Sequence, residues 1–183
     1  LSSLRHYYHF LHERKYVKNE PFLRISSPKY RAPLPKVLFD EQIQLLFKYN
    51  RERDDELKDR DQAILELMFA TGMRASEVVN LKIQQISFSE RTINVIGKGD
   101  KERIVAFTKE ASKTLRVYLE GLRRTLIQRR TNPVPTSVVF LNHLGNPLTI
   151  HGLRYILLAI ERKTGDYLDL HPHMLRHSFA TYL

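Results

Sequence analysis

The stretch SSPKYRAPLPKV, residues 26–37, limits the fold more than any other part of the chain. It holds three prolines, at 28, 33 and 35, each of which fixes φ and removes a backbone donor. No helical or strand period runs through it, so it reads as an extended linker. The segment before it must then bury its apolar face without help from the segment after it. Leu4, Tyr7, Tyr8 and Leu11 lie at i, i+3, i+4 and i+7, which predicts an amphipathic helix over 2–17. One helix has nothing to pack against. Residues 1–25 therefore read as the last helix of a domain that is mostly missing, 26–37 as a linker, and 38–183 as a second, nearly whole domain.

Beyond the linker the periodicity is mainly helical. Asp40 is a candidate N-cap for a helix with Ile43, Leu46 and Phe47 inward. The charged run RERDDELKDRD, 51–61, reads as a solvated stretch. Residues 61–70 carry Ile64, Leu65, Leu67, Met68 and Phe69 and predict a deeply buried helix that stops at Thr71-Gly72. A further helix is expected from Ser76. Two β-prone runs around Gly97-Lys98-Gly99-Asp100 predict a hairpin over 91–107. Ala111, Leu115, Tyr118, Leu119 and Leu122 form a helical stripe. VVFL, 138–141, reads as a short buried strand, with the turn NHLGNP after it. Thr149 is placed to cap a helix with Leu153, Ile156, Leu157 and Ile160 on one face, ended by Gly165. A last helix starts around Pro172. The expected class is mainly α with a small antiparallel β-sheet, α+β.

Charge then narrows the function. The chain has 30 Lys+Arg against 20 Asp+Glu, a net +10, and residues 1–36 alone hold eight basic and two acidic residues. Such an excess favours a polyanion as partner. There is no cysteine, which excludes disulfides and thiolate metal sites. No apolar run reaches the roughly 18 residues of a membrane helix and no signal peptide opens the chain, so the expectation is a cytoplasmic protein without membrane contact.

Three places put cations where a core-facing helix would not. Arg74 lies between a glycine turn and a new helix, with Glu77 three residues on. Lys98 sits at the hairpin tip, reinforced by Lys101 and Arg103. In HPHMLRHSFATYL, His173 and Arg176 are three apart and share a helical face, with His177 close by. Taken singly, a loop arginine, a turn lysine and a helical histidine are more often solvated or structural. Together, two guanidiniums, an ammonium and an imidazole are the groups that enclose a phosphate as it becomes five-coordinate and more negative. His171, His173 and His177 invite a zinc reading, but no Glu comes directly after the first as in His-Glu-x-x-His, and no metal is expected. No Gly-x-Ser-x-Gly elbow is present. The basic helix end LRRTLIQRR, 122–130, reads as solvated.

The motifs ATGMRASEVVNLK, GKGDKERIVAF, LTIHGLRYIL and HPHMLRHSFATYL, in this order and spacing, resemble the tyrosine recombinases, or phage-type integrases, and among them the bacterial Xer recombinases. The likeness spans the whole chain. It implies that Arg74, Lys98, His173 and Arg176 are catalytic, that Glu77 supports Arg74, and that His177 is packed rather than reactive. In this family a tyrosine attacks the DNA phosphate, forms a 3′-phosphotyrosyl link and releases a 5′-hydroxyl. The bond energy is kept in the covalent intermediate, so no cofactor is implied. The nucleophile is expected to lie past Leu183 and not in this chain, since Tyr182 shares a helix with Arg176. Lys29, Arg31 and Lys36 in the linker, and Lys101 and Arg103 in the hairpin, are expected to contact DNA. Expected partners are double-stranded DNA and sister subunits, as a tetramer on DNA, with this piece alone monomeric and inactive. The biological task implied is chromosome or plasmid dimer resolution. A phage or transposon integrase, a DNA-binding module without catalysis, and a basic protein that does not bind nucleic acid are the alternatives.

Overall fold

The computed structural model describes residues 1–26, 38–97, 102–130, 136–164 and 170–181, without the side chains at 173, 177, 180 and 181. The chain divides into two compact units, Leu1–Leu34 and Pro35–Leu183. In the first, α1 (Ser2–Glu13) stops four residues earlier than its period suggests, because Lys15 turns into the left-handed region at φ 59°. Arg5 Nε donates to the Phe22 carbonyl at 3.0 Å, and its guanidinium also reaches the Ile25 carbonyl. Tyr8 packs on Phe22 with ring centroids 4.9 Å apart. No residue of α1 is buried. Leu4, Tyr7 and Phe10 keep their apolar faces in solvent.

The second unit runs α2 (Asp40–Arg51), α3 (Lys58–Thr71), α4 (Ala75–Val79), β1 (Ile86–Ser87), β2 (Thr92–Ile96), β3 (Glu102–Ala106), α5 (Lys109–Glu120), α6 (Leu122–Gln128), α7 (Ile150–Thr164) and α8 (Pro172–Thr181). The sheet is antiparallel with strand order β1-β2-β3, and β2 and β3 pair from Thr92 with Ala106 to Ile96 with Glu102. The expected class, mainly α with one small antiparallel sheet, is the observed one.

Helix α3 is the hub, packed by α2, α5, α6, α8 and β3. Its residues from Arg60 to Met68 are all buried, so it has no solvated face. A helix buried all round must pair whatever charge it carries. Arg60 Nε donates to Asp61 Oδ1 at 2.8 Å and Nη1 to the Leu141 carbonyl at 3.2 Å, while Arg53 Nη1 donates to Asp61 Oδ2 at 2.8 Å. The run 51–61 is therefore not simply solvated, since its end is an internal ion cluster. Burial lifts the Asp61 carboxyl above its ordinary value, against the pull of Arg60 and Arg53.

Four further expectations need correction. Asp40 is the first helical residue rather than the N-cap; Gln42 Oε1 accepts the Phe39 N–H at 3.0 Å, and Asp40 and Glu41 face the positive end of the helix dipole. Residues 138–141 form no strand, only isolated bridges of Val138 with Lys82 and Leu141 with Pro147. Without a neighbouring strand, its backbone groups need other partners. Arg123 supplies them, donating to the carbonyls of Thr136 (2.9 Å), Val138 (2.7 Å) and Val139 (3.0 Å). Tyr118 supplies others: its hydroxyl donates to the Val139 carbonyl at 3.2 Å and accepts the Leu141 N–H at 3.1 Å. Arg123 is thus buried, not part of a solvated helix end, and the expected single helix through Leu122 breaks at Gly121. Thr149 does cap α7, accepting the Gly152 N–H at 3.0 Å. Gly165 lies outside the described residues.

Among the described residues, no helix is long and apolar enough to cross a membrane.

Candidate active site

The site begins at the end of α3. Gly72 closes that helix in the left-handed conformation, φ 57°, and a Cβ there would lie 2.5 Å from Phe179 Cδ1 of α8. Glycine is needed for both reasons. Gly72→Ala is expected to lower stability by about 2–4 kcal/mol, from left-handed strain and overpacking together. A urea midpoint equal to that of the parent protein would contradict this close approach.

The reversed chain makes Arg74 the N-cap of α4, two residues ahead of the helix start expected at Ser76. Glu77, in the first turn, reaches back: Oε2 accepts the Arg74 N–H at 2.7 Å, and Oε1 accepts the Arg74 guanidinium at 3.0 Å. From β3, Arg103 forks the same carboxylate, Nη1 to Oε1 and Nη2 to Oε2, both at 2.8 Å. Burial alone would raise the Glu77 carboxyl, whose side chain is only 6% exposed. The Arg103 fork, the Arg74 backbone N–H and the Arg74 guanidinium outweigh it and hold the group at about 2. Arg74 keeps 52% of its side chain exposed.

Helix α8 brings Arg176 to this turn, where Nη1 donates to the Gly72 carbonyl. Its proton affinity is lowered by burial and by the like charges of Arg74 and Arg103, against the pull of Glu77. Four sequence-separated side chains thus share one electrostatic neighbourhood, with three guanidiniums to one carboxylate. α8 is seated by Met174 and Leu175, both buried, and by Ser178, whose Oγ accepts the Leu38 N–H at 2.9 Å and donates to the Met174 carbonyl at 3.0 Å. An open groove of about 660 Å³ runs from Arg74, Glu77 and Asn80 past Lys82 and Gln85 to Gly97, at the root of the hairpin tip.

Of the site residues expected from sequence, the structure brings together Arg74, Glu77, Arg103 and Arg176. His173 and His177 lie on α8, but their side chains are outside the described residues. So are Lys98 and Lys101 in the tip and Lys29, Arg31 and Lys36 in the linker. Among the described residues, no group of three or more His, Asp or Glu is placed to hold a metal ion. The Arg103–Glu77 fork joins residues 26 positions apart, and no local pattern announces it. The sequence does hold one signal: in a period-2 strand, Arg103 shares the inward face with Val105, while Ile104 is 74% exposed. An arginine on an inward face calls for a buried acid.

A helix-rich domain with one three-stranded antiparallel sheet, and arginines from three elements gathered beside its hairpin, has the architecture of a tyrosine recombinase catalytic domain. The chain belongs to the phage integrase family, whose model matches residues 36–183. Over all 183 residues it is 43% identical to tyrosine recombinase XerC of Bacillus licheniformis and covers 59% of that protein. It is 39% identical to tyrosine recombinase XerD of Listeria innocua over the same residues, covering 60% of it. Among solved structures, XerA recombinase superposes with a TM-score of 0.69 at 27% identity, over 86% of this chain and 52% of that one. XerH recombinase bound to its difH substrate before cleavage superposes with a TM-score of 0.64 at 29% identity, over 81% of this chain and 42% of that one. The chain thus spans roughly three-fifths of the length of these two curated relatives.

Proposed function

We propose that the full-length protein carrying this sequence is a site-specific tyrosine recombinase of the Xer type, and that Arg74, Arg176, His173 and Lys98 form its phosphate pocket. The observation that carries this reading is the meeting of Arg74 and Arg176 at the α3–α4 turn, in a chain whose family is known. In the reaction, a tyrosine further along the polypeptide than Leu183 attacks the scissile phosphorus. The two guanidiniums and the His173 imidazole stabilise the charge that grows on the non-bridging oxygens. The 5′-oxygen leaves with a proton from Lys98, and a 3′-phosphotyrosyl bond holds the strand until a second 5′-hydroxyl reverses the step. Double-stranded DNA and sister subunits, assembled as a tetramer, are the partners. The linker lysines and arginine and Lys101 contact phosphates. The biological task is resolution of chromosome or plasmid dimers, in the cytoplasm.

The test is a nicked duplex bearing the cognate site, which traps the covalent complex because the cleaved fragment diffuses away. The full-length protein is expected to give a protein–DNA adduct that survives denaturation and is lost on replacing the attacking tyrosine by Phe. No adduct on any duplex to which the protein binds specifically would overturn the reading.

Lys98 is the general acid of this reading, giving its proton to the leaving oxygen. Lys98→Ala is therefore expected to slow cleavage of an ordinary 5′-hydroxyl leaving group by about 10²-fold or more. A 5′-thiol leaving group, which departs without a proton, is expected to be cleaved nearly as fast as by the parent protein. Equal slowing of both substrates would remove Lys98 from the acid role.

A further inference from the structure

The sequence places Arg103 among the DNA contacts, yet both of its forked nitrogens are spent on Glu77. The fork joins two elements that carry different parts of the proposed pocket. Glu77 belongs to α4, whose N-cap is Arg74. Arg103 belongs to β3, beside the tip that bears Lys98 and Lys101. A bidentate guanidinium–carboxylate pair fixes both distance and plane, so it holds its two elements in a defined relation. The same two oxygens also accept from Arg74, Oε1 from its guanidinium and Oε2 from its backbone N–H. Glu77 is therefore shared by two arginines, of which Arg74, half exposed, lines the groove and Arg103 does not.

We propose that Arg103 is a positioning residue for strand cleavage. It latches the β-hairpin to α4 through Glu77, keeps that carboxylate ionised, and so fixes the direction in which Arg74 meets the phosphate. This role rests on the recombinase reading above. Arg103 itself does not touch the DNA and acts only through Glu77. Without it, Glu77 keeps its burial but loses its principal counter-charge, so its proton affinity rises. A protonated Glu77 accepts fewer N–H groups and releases the Arg74 side chain.

The test compares Arg103→Met, Arg103→Lys, Glu77→Gln and the Arg103→Met/Glu77→Gln pair in the full-length protein, by single-turnover cleavage of the nicked duplex at saturating protein. Arg103→Met is expected to slow cleavage 10- to 100-fold, with duplex affinity within about threefold and the salt slope of binding unchanged. Its rate is expected to fall on acidification at a higher pH than in the parent protein, where Glu77 is held at about 2. Arg103→Lys keeps the charge but not the fork, and is expected to recover the pH profile more than the rate. In the Glu77→Gln background, Arg103→Met is expected to have less than a twofold further effect. This cycle retains its meaning even if single variants lose some stability.

A drop of about one in the salt slope, with cleavage at saturation unchanged, would show Arg103 on a DNA phosphate and overturn the proposal. So would full additivity of the two substitutions. Failure of the recombinase reading looks different: the parent protein forms no adduct, or Arg74→Ala cleaves normally.

Discussion

Arg176→Ala in the full-length protein is expected to slow covalent complex formation on a nicked duplex by about 10²–10³-fold, the usual cost of one donor to a developing oxyanion. Duplex affinity is expected to change by less than about threefold, because a chain of net charge +10 has many other cations available for non-specific binding. The reason lies in how Arg176 is held. One of its nitrogens is committed to the Gly72 carbonyl, which fixes the guanidinium at the turn next to Arg74. Its charge is costly there, because it is partly buried and two like charges stand near. A site that keeps repelling cations together in its resting state is poised for an anion that gains charge during reaction. Arg176→Lys is expected to recover little, since an ammonium cannot hold the Gly72 carbonyl and present a second, coplanar donor to the phosphate. Single-turnover rates within about threefold of the parent protein for Arg176→Ala would refute its place in the pocket.

The second large effect concerns the core. Asp61→Ala is expected to cost about 3–5 kcal/mol of unfolding free energy, because it removes the counter-charge of a buried arginine. Asp61 is 2% exposed and Arg60 4%, and Asp61 bridges Arg60 to Arg53 beneath the packing of α3. The paired replacement Arg60→Met/Asp61→Leu is expected to be far milder, within about 1 kcal/mol of the parent, since it removes both charges and keeps the volume. Urea denaturation of the three proteins checks this. A loss under about 1 kcal/mol for Asp61→Ala would mean that the cluster is solvated after all.

The parts of the fold legible in the sequence are those decided by near neighbours. Gly72 ends α3 because a left-handed residue must come after the last turn, and Thr149 caps α7 three residues before its bonded N–H. The hairpin is set by two short β-prone runs around glycines. The illegible parts depend on partners far along the chain. Arg123 looks like a helix-end cation, and only the folded chain brings the carbonyls of 136–139 to it. Arg60 and Asp61 look like part of a solvated run until α2, α5, α6 and α8 close around them. Likewise, motifs mark Arg74, Glu77 and Arg176, but nothing identifies Glu77 as the partner of Arg103, because an inward strand arginine announces a partner without naming it. The hairpin tip and the side chains of His173 and His177 lie outside the described residues, so their proposed roles rest on family membership and spacing.

The central claim is that Arg74 and Arg176 serve one and the same phosphate. It is tested most directly by the structure of the full-length protein on a nicked duplex with the attacking tyrosine replaced by Phe. Guanidinium nitrogens of both residues are expected within hydrogen-bonding distance, about 2.7–3.1 Å, of non-bridging oxygens on the scissile phosphate. Finding the two arginines on different phosphates, or either one turned from the backbone while DNA is bound, would contradict the claim.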